Sequence, residues 1–179
     1  MQVIERASID RLLDAVARRG YSLVGPRRRG DAIVYEAIDG AADLPEGVAD
    51  ETDKGRYRIT HSDNPRLFGS ASAAQSWKPY LYPPRALLWR AERSDHEYNI
   101  TTTESRTPPP KLAFIGVRPC DLAAIAVQDR VFVDGMYIDR GYKARRDNVL
   151  IVAVNCSRGC DTCFCTSMRT GPRAKNGYD

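Results

Sequence analysis

Two stretches of this chain are unbroken apolar runs of strand length, Lys111-Leu-Ala-Phe-Ile-Gly-Val117 and Asn148-Val-Leu-Ile-Val-Ala-Val-Asn155. Strands without polar alternation are buried on both faces, the condition of parallel strands covered by helices. Between them, Arg118-Pro-Cys-Asp121 reads as a turn, with Asp121 as the N-cap of a helix over 122–133. Leu122, Ile125, Ala126 and Phe132 give that helix an apolar stripe, and a basic, turn-rich stretch follows it. Strand, helix and strand in this order make a βαβ unit, for which a right-handed crossover is expected.

The pattern is weaker towards the N-terminus. Ser8 is placed to cap a helix over 9–19, with Ile9, Leu12, Leu13 and Val16 on one stripe and Gly20 closing it. Tyr21-Ser-Leu-Val-Gly-Pro26 and Ala32-Ile-Val-Tyr-Glu-Ala-Ile38 read as short strands around the turn Arg27-Arg-Arg-Gly-Asp31, whose arginines are taken as solvated. Residues 40–65 are polar and Gly-rich, with a brief strand signal at Tyr57-Arg-Ile-Thr60. Ser76-Trp-Lys-Pro-Tyr-Leu-Tyr-Pro-Pro84 mixes aromatics with prolines and suits an ordered surface loop better than a helix. The expected fold is therefore α/β: a small parallel or mixed sheet with a C-terminal βαβ unit and a loop-rich N-terminal half. The expected division is 1–110, α+β and loop-rich, and 111–179, the βαβ core with a cysteine-rich loop, the two forming one compact domain.

Composition narrows the chemistry. The chain has 179 residues, a formal charge of +4, two His and five Cys. Folding at this length buries about two-thirds of the unfolded surface. No apolar run reaches membrane-spanning length, and the first residues lack the basic-then-apolar profile of a secretory signal, so a cytoplasmic location is the expectation. Residues 140–179 hold eight Lys and Arg against three Asp, so the excess charge is local. Beside a thiol cluster, that charge fits compensation of thiolates better than nucleic-acid binding.

Four of the five cysteines lie in Cys156-Ser-Arg-Gly-Cys160-Asp-Thr-Cys163-Phe-Cys165. The odd count and tight clustering point to metal or redox chemistry and away from a disulfide scaffold. Cys120 follows the first strand and Cys156 the second, and in a parallel sheet those carboxyl ends share the edge where ligands usually bind. Both histidines, His61 and His96, sit in polar surroundings far from the thiols and read as surface residues. Soft thiolates without His favour an iron–sulfur cluster or a Cys₄ zinc. The spacing matches neither the ferredoxin run nor a paired zinc ribbon, so spacing alone leaves the metal open. Arg118, Arg158, Arg169, Arg173 and Lys175 surround the thiols and would offset cluster charge. Cys120 also precedes a helix N-terminus, whose dipole favours a thiolate.

Gly116-Val-Arg-Pro-Cys-Asp-Leu122, Gln128-Asp-Arg-Val-Phe132, Val152-Ala-Val-Asn-Cys156, Cys163-Phe-Cys-Thr-Ser-Met168 and Thr170-Gly-Pro172 together resemble the iron–sulfur beta subunit of cytosolic nickel–iron hydrogenases (sulfhydrogenases). They are similar also to the electron-transferring subunit of anaerobic sulfite reductases. Tyr21–Pro26, Leu44-Pro-Glu-Gly47, Gly55-Arg-Tyr-Arg58 and Ser76-Trp-Lys-Pro79 extend the resemblance over nearly the whole chain. The resemblance implies an electron-transfer subunit, with Cys120, Cys156, Cys163 and Cys165 as metal ligands; Arg118 and Arg158, as cations close to these thiols in the chain, are expected beside the cofactor. It implies an iron–sulfur cluster of 4Fe–4S type, a flavin on a partner subunit, and the other subunits of a hydrogenase or reductase complex as partners. Members of the family continue into a dicluster ferredoxin domain, whereas this sequence stops at Gly177-Tyr-Asp179, so the likeness is to the N-terminal part. Cys160 falls where the family pattern requires no Cys, and Arg169 stands where the pattern has Gly. The rival readings are a structural Cys₄ zinc docking module and a thiol-redox protein using Cys120 as nucleophile.

Overall fold

A computed structural model describes residues 5–71, 75–95, 97–102 and 108–179. His96 therefore lies outside the described residues. The chain runs α1 (Ile9–Ala17), β1 (Ser22–Arg29), β2 (Ala32–Ala37), β3 (Val48–Asp53), β4 (Arg56–His61), α2 (Lys78–Leu81), β5 (Trp89–Ser94), β6 (Glu97–Thr102), β7 (Leu112–Val117), α3 (Pro119–Phe132), α4 (Arg140–Arg146) and β8 (Val149–Ala153). The α/β expectation is met by a four-stranded mixed sheet in the order β2-β1-β7-β8. β7 pairs parallel with both β1 and β8, whereas β2 runs antiparallel to β1. Strands from both halves of the chain thus share one sheet. β3–β4 and β5–β6 form separate antiparallel hairpins.

β7 explains why its sequence lacks alternation. Ala113 and Ile115 face a cluster with Leu13 and Val16 of α1, together with Leu23, Ile38 and Leu44. Phe114 faces the opposite cluster with Leu122 and Ile125 of α3, Tyr142 of α4, and Trp77 and Leu81 around α2. A register shift between Ile115 and Val117 then turns Val117 towards the α3 side. Gly116 makes that shift with φ +86°, and a Cβ there would stand 2.5 Å from the Phe68 ring.

The segment 76–84 departs from expectation. It carries a one-turn helix, and Trp77 and Leu81 are fully buried rather than on the surface. Trp77 stacks between Tyr35, at 3.9 Å between ring centroids, and Phe114, at 4.7 Å, while the Tyr80 hydroxyl donates to the Tyr35 carbonyl at 2.8 Å. Aromatic burial outweighs the local effect of the prolines, and one of them, Pro79, sits in the first turn where a missing N–H is harmless.

Other differences have equally local causes. Arg27–Arg29 lie in β1, not in the turn; Arg27 pairs with Asp43 at 2.8 Å and Arg29 with Glu36 at 2.5 Å. The basic stretch after α3 contains α4, capped by the Asp139 side chain, which accepts from the Tyr142 amide at 2.8 Å. Tyr142 donates to Asp129 at 2.6 Å, and Arg146 reaches the same carboxylate at 3.1 Å, tying α4 to α3. His61 is exposed at the end of β4, as expected. Among the described residues, no helix is long and apolar enough to cross a membrane.

Candidate metal centre

The centre is built where β7 passes into α3. The helix starts at Pro119, three residues before the expected start, so Asp121 is not its N-cap. Arg118 holds the cap position, and its backbone N–H donates to the Asp121 carboxylate at 3.4 Å, within the first turn. Cys120 is thereby the second residue of the helix, at the sheet edge after β7. Arg118 is almost completely buried. Its guanidinium donates through Nη2 to the Ser70 carbonyl and through Nη1 to Cys156 Sγ at 3.4 Å. The basic residue expected beside the cofactor is thus in contact with one of the expected sulfur ligands.

From the far side, β8 delivers the cysteine loop. Val154 N–H donates to the Val117 carbonyl at 2.9 Å, which continues the β7–β8 pairing beyond the strand. Cys156 N–H donates to the Pro172 carbonyl at 2.9 Å and the Asn155 side chain accepts from the Ala174 amide at 3.0 Å, so the loop closes at its base. The Cys156 thiol donates to the Arg158 carbonyl at 2.8 Å. Cys165 turns back towards α3. A Cβ at Gly171 would meet Cys165 Sγ at 3.2 Å and Pro119 at 3.6 Å, so the Cys165 sulfur and the start of α3 flank the same glycine. Arg169, standing where the resemblance expects Gly, has φ +55°, so the turn does use the left-handed conformation that glycine adopts at least cost.

Cys160 and Cys163 make the closest thiol pair. Their sulfurs are 3.2 Å apart, Cys163 N–H donates to the Cys160 carbonyl at 2.9 Å, and Cys160 N–H donates to Cys163 Sγ at 3.2 Å. Cys160, which the family pattern does not require, is therefore paired with Cys163. The signal that marks it is the Cys-x-x-Cys spacing itself, preceded by Gly159 and spanned by the turn residues Asp161 and Thr162. Among the described residues, no three His, Cys, Asp or Glu side chains stand together as a ready metal-holding group. The fit to a metal rests on donor chemistry: five sulfurs, no histidine, and a buried cation against one sulfur.

The electrostatics separate the thiols. Burial, with the Asp121 carboxylate next, pushes the Cys120 thiol up to about 11, so the helix terminus does not yield the thiolate its dipole would favour. Asp121 is itself raised, because burial outweighs its hydrogen bond from Arg118. At Cys160 burial opposes ionisation, but hydrogen bonds from Thr162 and Cys163 overcome it and the thiol lies below its ordinary value. Cys163 moves the other way, through burial and the adjoining Cys160 sulfur.

A cavity of about 400 Å³ opens beside this pair, between the β3–β4 hairpin and the loop. Arg158 lines it with Cys160 and Asp161, facing Arg56 and Arg58 from β4 and Asp53 from β3. The second expected cofactor residue thus belongs to the Cys160 side of the loop, and Arg118 to the Cys156 side. No family model, curated protein sequence or solved structure matches this chain.

Proposed function

We propose that this chain is an electron-transfer module, the N-terminal part of an iron–sulfur subunit of a hydrogenase- or sulfite-reductase-type complex in the cytoplasm. Cys120, Cys156, Cys163 and Cys165 would hold one cluster, which when bound accepts and releases single electrons between a flavin-bearing partner and a second metal centre. The observation that carries this reading is the contact of the buried Arg118 guanidinium with Cys156 Sγ at the edge where Cys120 also emerges. A fixed cation against a sulfur offsets thiolate charge, and such contacts raise a cluster's potential. The loop supplies the remaining sulfurs, and Arg158 adds a solvent-side cation. The chain's own work is ligation, partial exclusion of water and charge compensation; it makes and breaks no substrate bond.

Anaerobic reconstitution with iron and sulfide tests this. The expected result is a broad absorbance near ~400 nm that bleaches on reduction with the appearance of an EPR signal. A chain that takes up no iron, or iron without sulfide, overturns the reading.

A second reading is favoured by the Cys160–Cys163 pair, whose two-residue spacing and turn are those of structural zinc ligands. In it the loop holds zinc and docks a larger subunit. About one zinc per chain without iron, and loss of folded structure on chelation, would select it.

A further inference from the structure

We infer that Cys160 and Cys163 form a reversible disulfide, a redox-modification site on the face of the cysteine loop, closed by exchange with a low-molecular-weight disulfide. The inference goes beyond the cluster reading and stands on the geometry of the Cys160–Cys163 turn. The turn that joins the two residues is closed by its own backbone hydrogen bond, Cys163 N–H to Cys160 C=O at 2.9 Å, which keeps their Cα atoms within the span of a tight turn. That span overlaps the range a disulfide requires. The sulfurs already face each other at 3.2 Å, and closing to a bond needs a movement of about 1 Å. Cys163 is exposed and Cys160 partly so, which gives a small disulfide access.

Two of the other thiols have neighbours of their own. Cys156 Sγ lies between the Arg118 guanidinium and the Arg158 carbonyl, and Cys165 Sγ packs towards Gly171 and Pro119. Cys120 is exposed in the first turn of α3, on a different element from the pair.

The exchange balances without a further reagent. One of the two sulfurs attacks a sulfur of the small disulfide, the S–S bond breaks, and the first thiol leaves carrying the attacking group's proton. The second cysteine then attacks the mixed disulfide, displaces the second thiol with its own proton, and leaves Cys160 and Cys163 joined. The two cysteines are oxidised by two electrons and the small disulfide is reduced to two thiols. Because the bond consumes Cys163 Sγ, the disulfide and a metal on that sulfur exclude each other.

The test uses the full metal-free chain equilibrated anaerobically with oxidised glutathione, then alkylated and digested with trypsin. Cleavage after Arg158 and Arg169 releases one peptide with Cys160, Cys163 and Cys165. The expected product lacks two hydrogens, has its bond between Cys160 and Cys163, and carries the alkyl group on Cys165. Cys163→Ser should instead give a glutathione adduct on Cys160, and dithiothreitol should restore both thiols. Separate glutathione adducts on Cys160 and Cys163 in the unaltered chain, or a bond that joins Cys165 to either, would overturn the inference. Iron and sulfide content after reductive reconstitution reads the cluster proposal separately, so the failure of one leaves the other measurable.

Discussion

Arg118 and Cys156, 38 residues apart, meet at 3.4 Å where β7 and β8 end side by side. Arg118 is 5% exposed and its guanidinium also donates to the Ser70 carbonyl, so one buried side chain ties α3, the segment after β4 and the cysteine loop together. Arg118→Ala strands that carbonyl and frees the sulfur. It should lower unfolding stability by about 2–3 kcal/mol, the scale of hydrogen bonds to a buried charge, and speed alkylation of Cys156. Urea unfolding with thiol labelling measures both; a loss below about 0.5 kcal/mol would show that the contact is incidental.

Arg169 holds a left-handed backbone, φ +55°, in the turn that returns the cysteine loop. Arg169→Gly removes the Cβ conflict, and thermal unfolding should show a gain of up to about 1 kcal/mol, after allowing for the greater freedom glycine gives the unfolded chain. Arg169→Ala keeps the conflict and should show no such gain. Equal effects of the two substitutions would mean that the Arg169 side chain, not its backbone, governs the turn.

The Cys120 thiol, on a residue that still reaches the surface, is moved by desolvation and the Asp121 carboxylate from its ordinary 9.0 to about 11. A group whose folded value is raised stabilises the fold fully below its unfolded value and loses that contribution as pH rises through the folded one. In metal-free protein, labelling of Cys120 should be slow at neutral pH and climb towards about 11. Stability should fall across pH 9.0 to about 11 less steeply in Cys120→Ala. Fast labelling at neutral pH would contradict the burial argument.

Trp77 is 1% exposed between Tyr35 and Phe114. Trp77→Ala should cost about 3–5 kcal/mol and Trp77→Phe clearly less, because a ring can keep part of the stack. Chemical unfolding compares them. Similar losses for both would place the value of Trp77 outside its stacking.

Gly116 carries φ +86° with the Phe68 ring against its open side. Gly116→Ala meets strain and overlap together and should destabilise by more than about 1 kcal/mol, with near-ultraviolet circular dichroism changing as neighbouring aromatic side chains are displaced. A neutral substitution would mean that Phe68 yields freely.

The sequence by itself determined β7, β8, the helix between them and the sheet edge that receives Cys120 and Cys156. Unbroken Val, Ile, Leu and Phe runs can be buried on two faces in few ways, and a parallel sheet is one of them. It also marked β1, β2 and α1 through turn residues and a single apolar stripe. It did not disclose that Trp77 and Leu81 are core, since two prolines follow closely at Pro83 and Pro84 and the aromatic partners Tyr35 and Phe114 are remote in the chain. It marked β4 through the brief signal at Tyr57–Thr60 but disclosed neither its partner β3 nor the β5–β6 hairpin, whose polar strands carry little periodic signal. At the thiols, local spacing showed that sulfurs cluster, whereas partnership was decided in three dimensions. Arg118 was brought to Cys156 by strand pairing, Cys160 to Cys163 by a hydrogen-bonded turn, and the Cys120 thiol was raised by desolvation, which no local pattern records, and by the Asp121 carboxylate. Side-chain period is written residue by residue, but burial and charge contact depend on which remote segments the fold sets against each other.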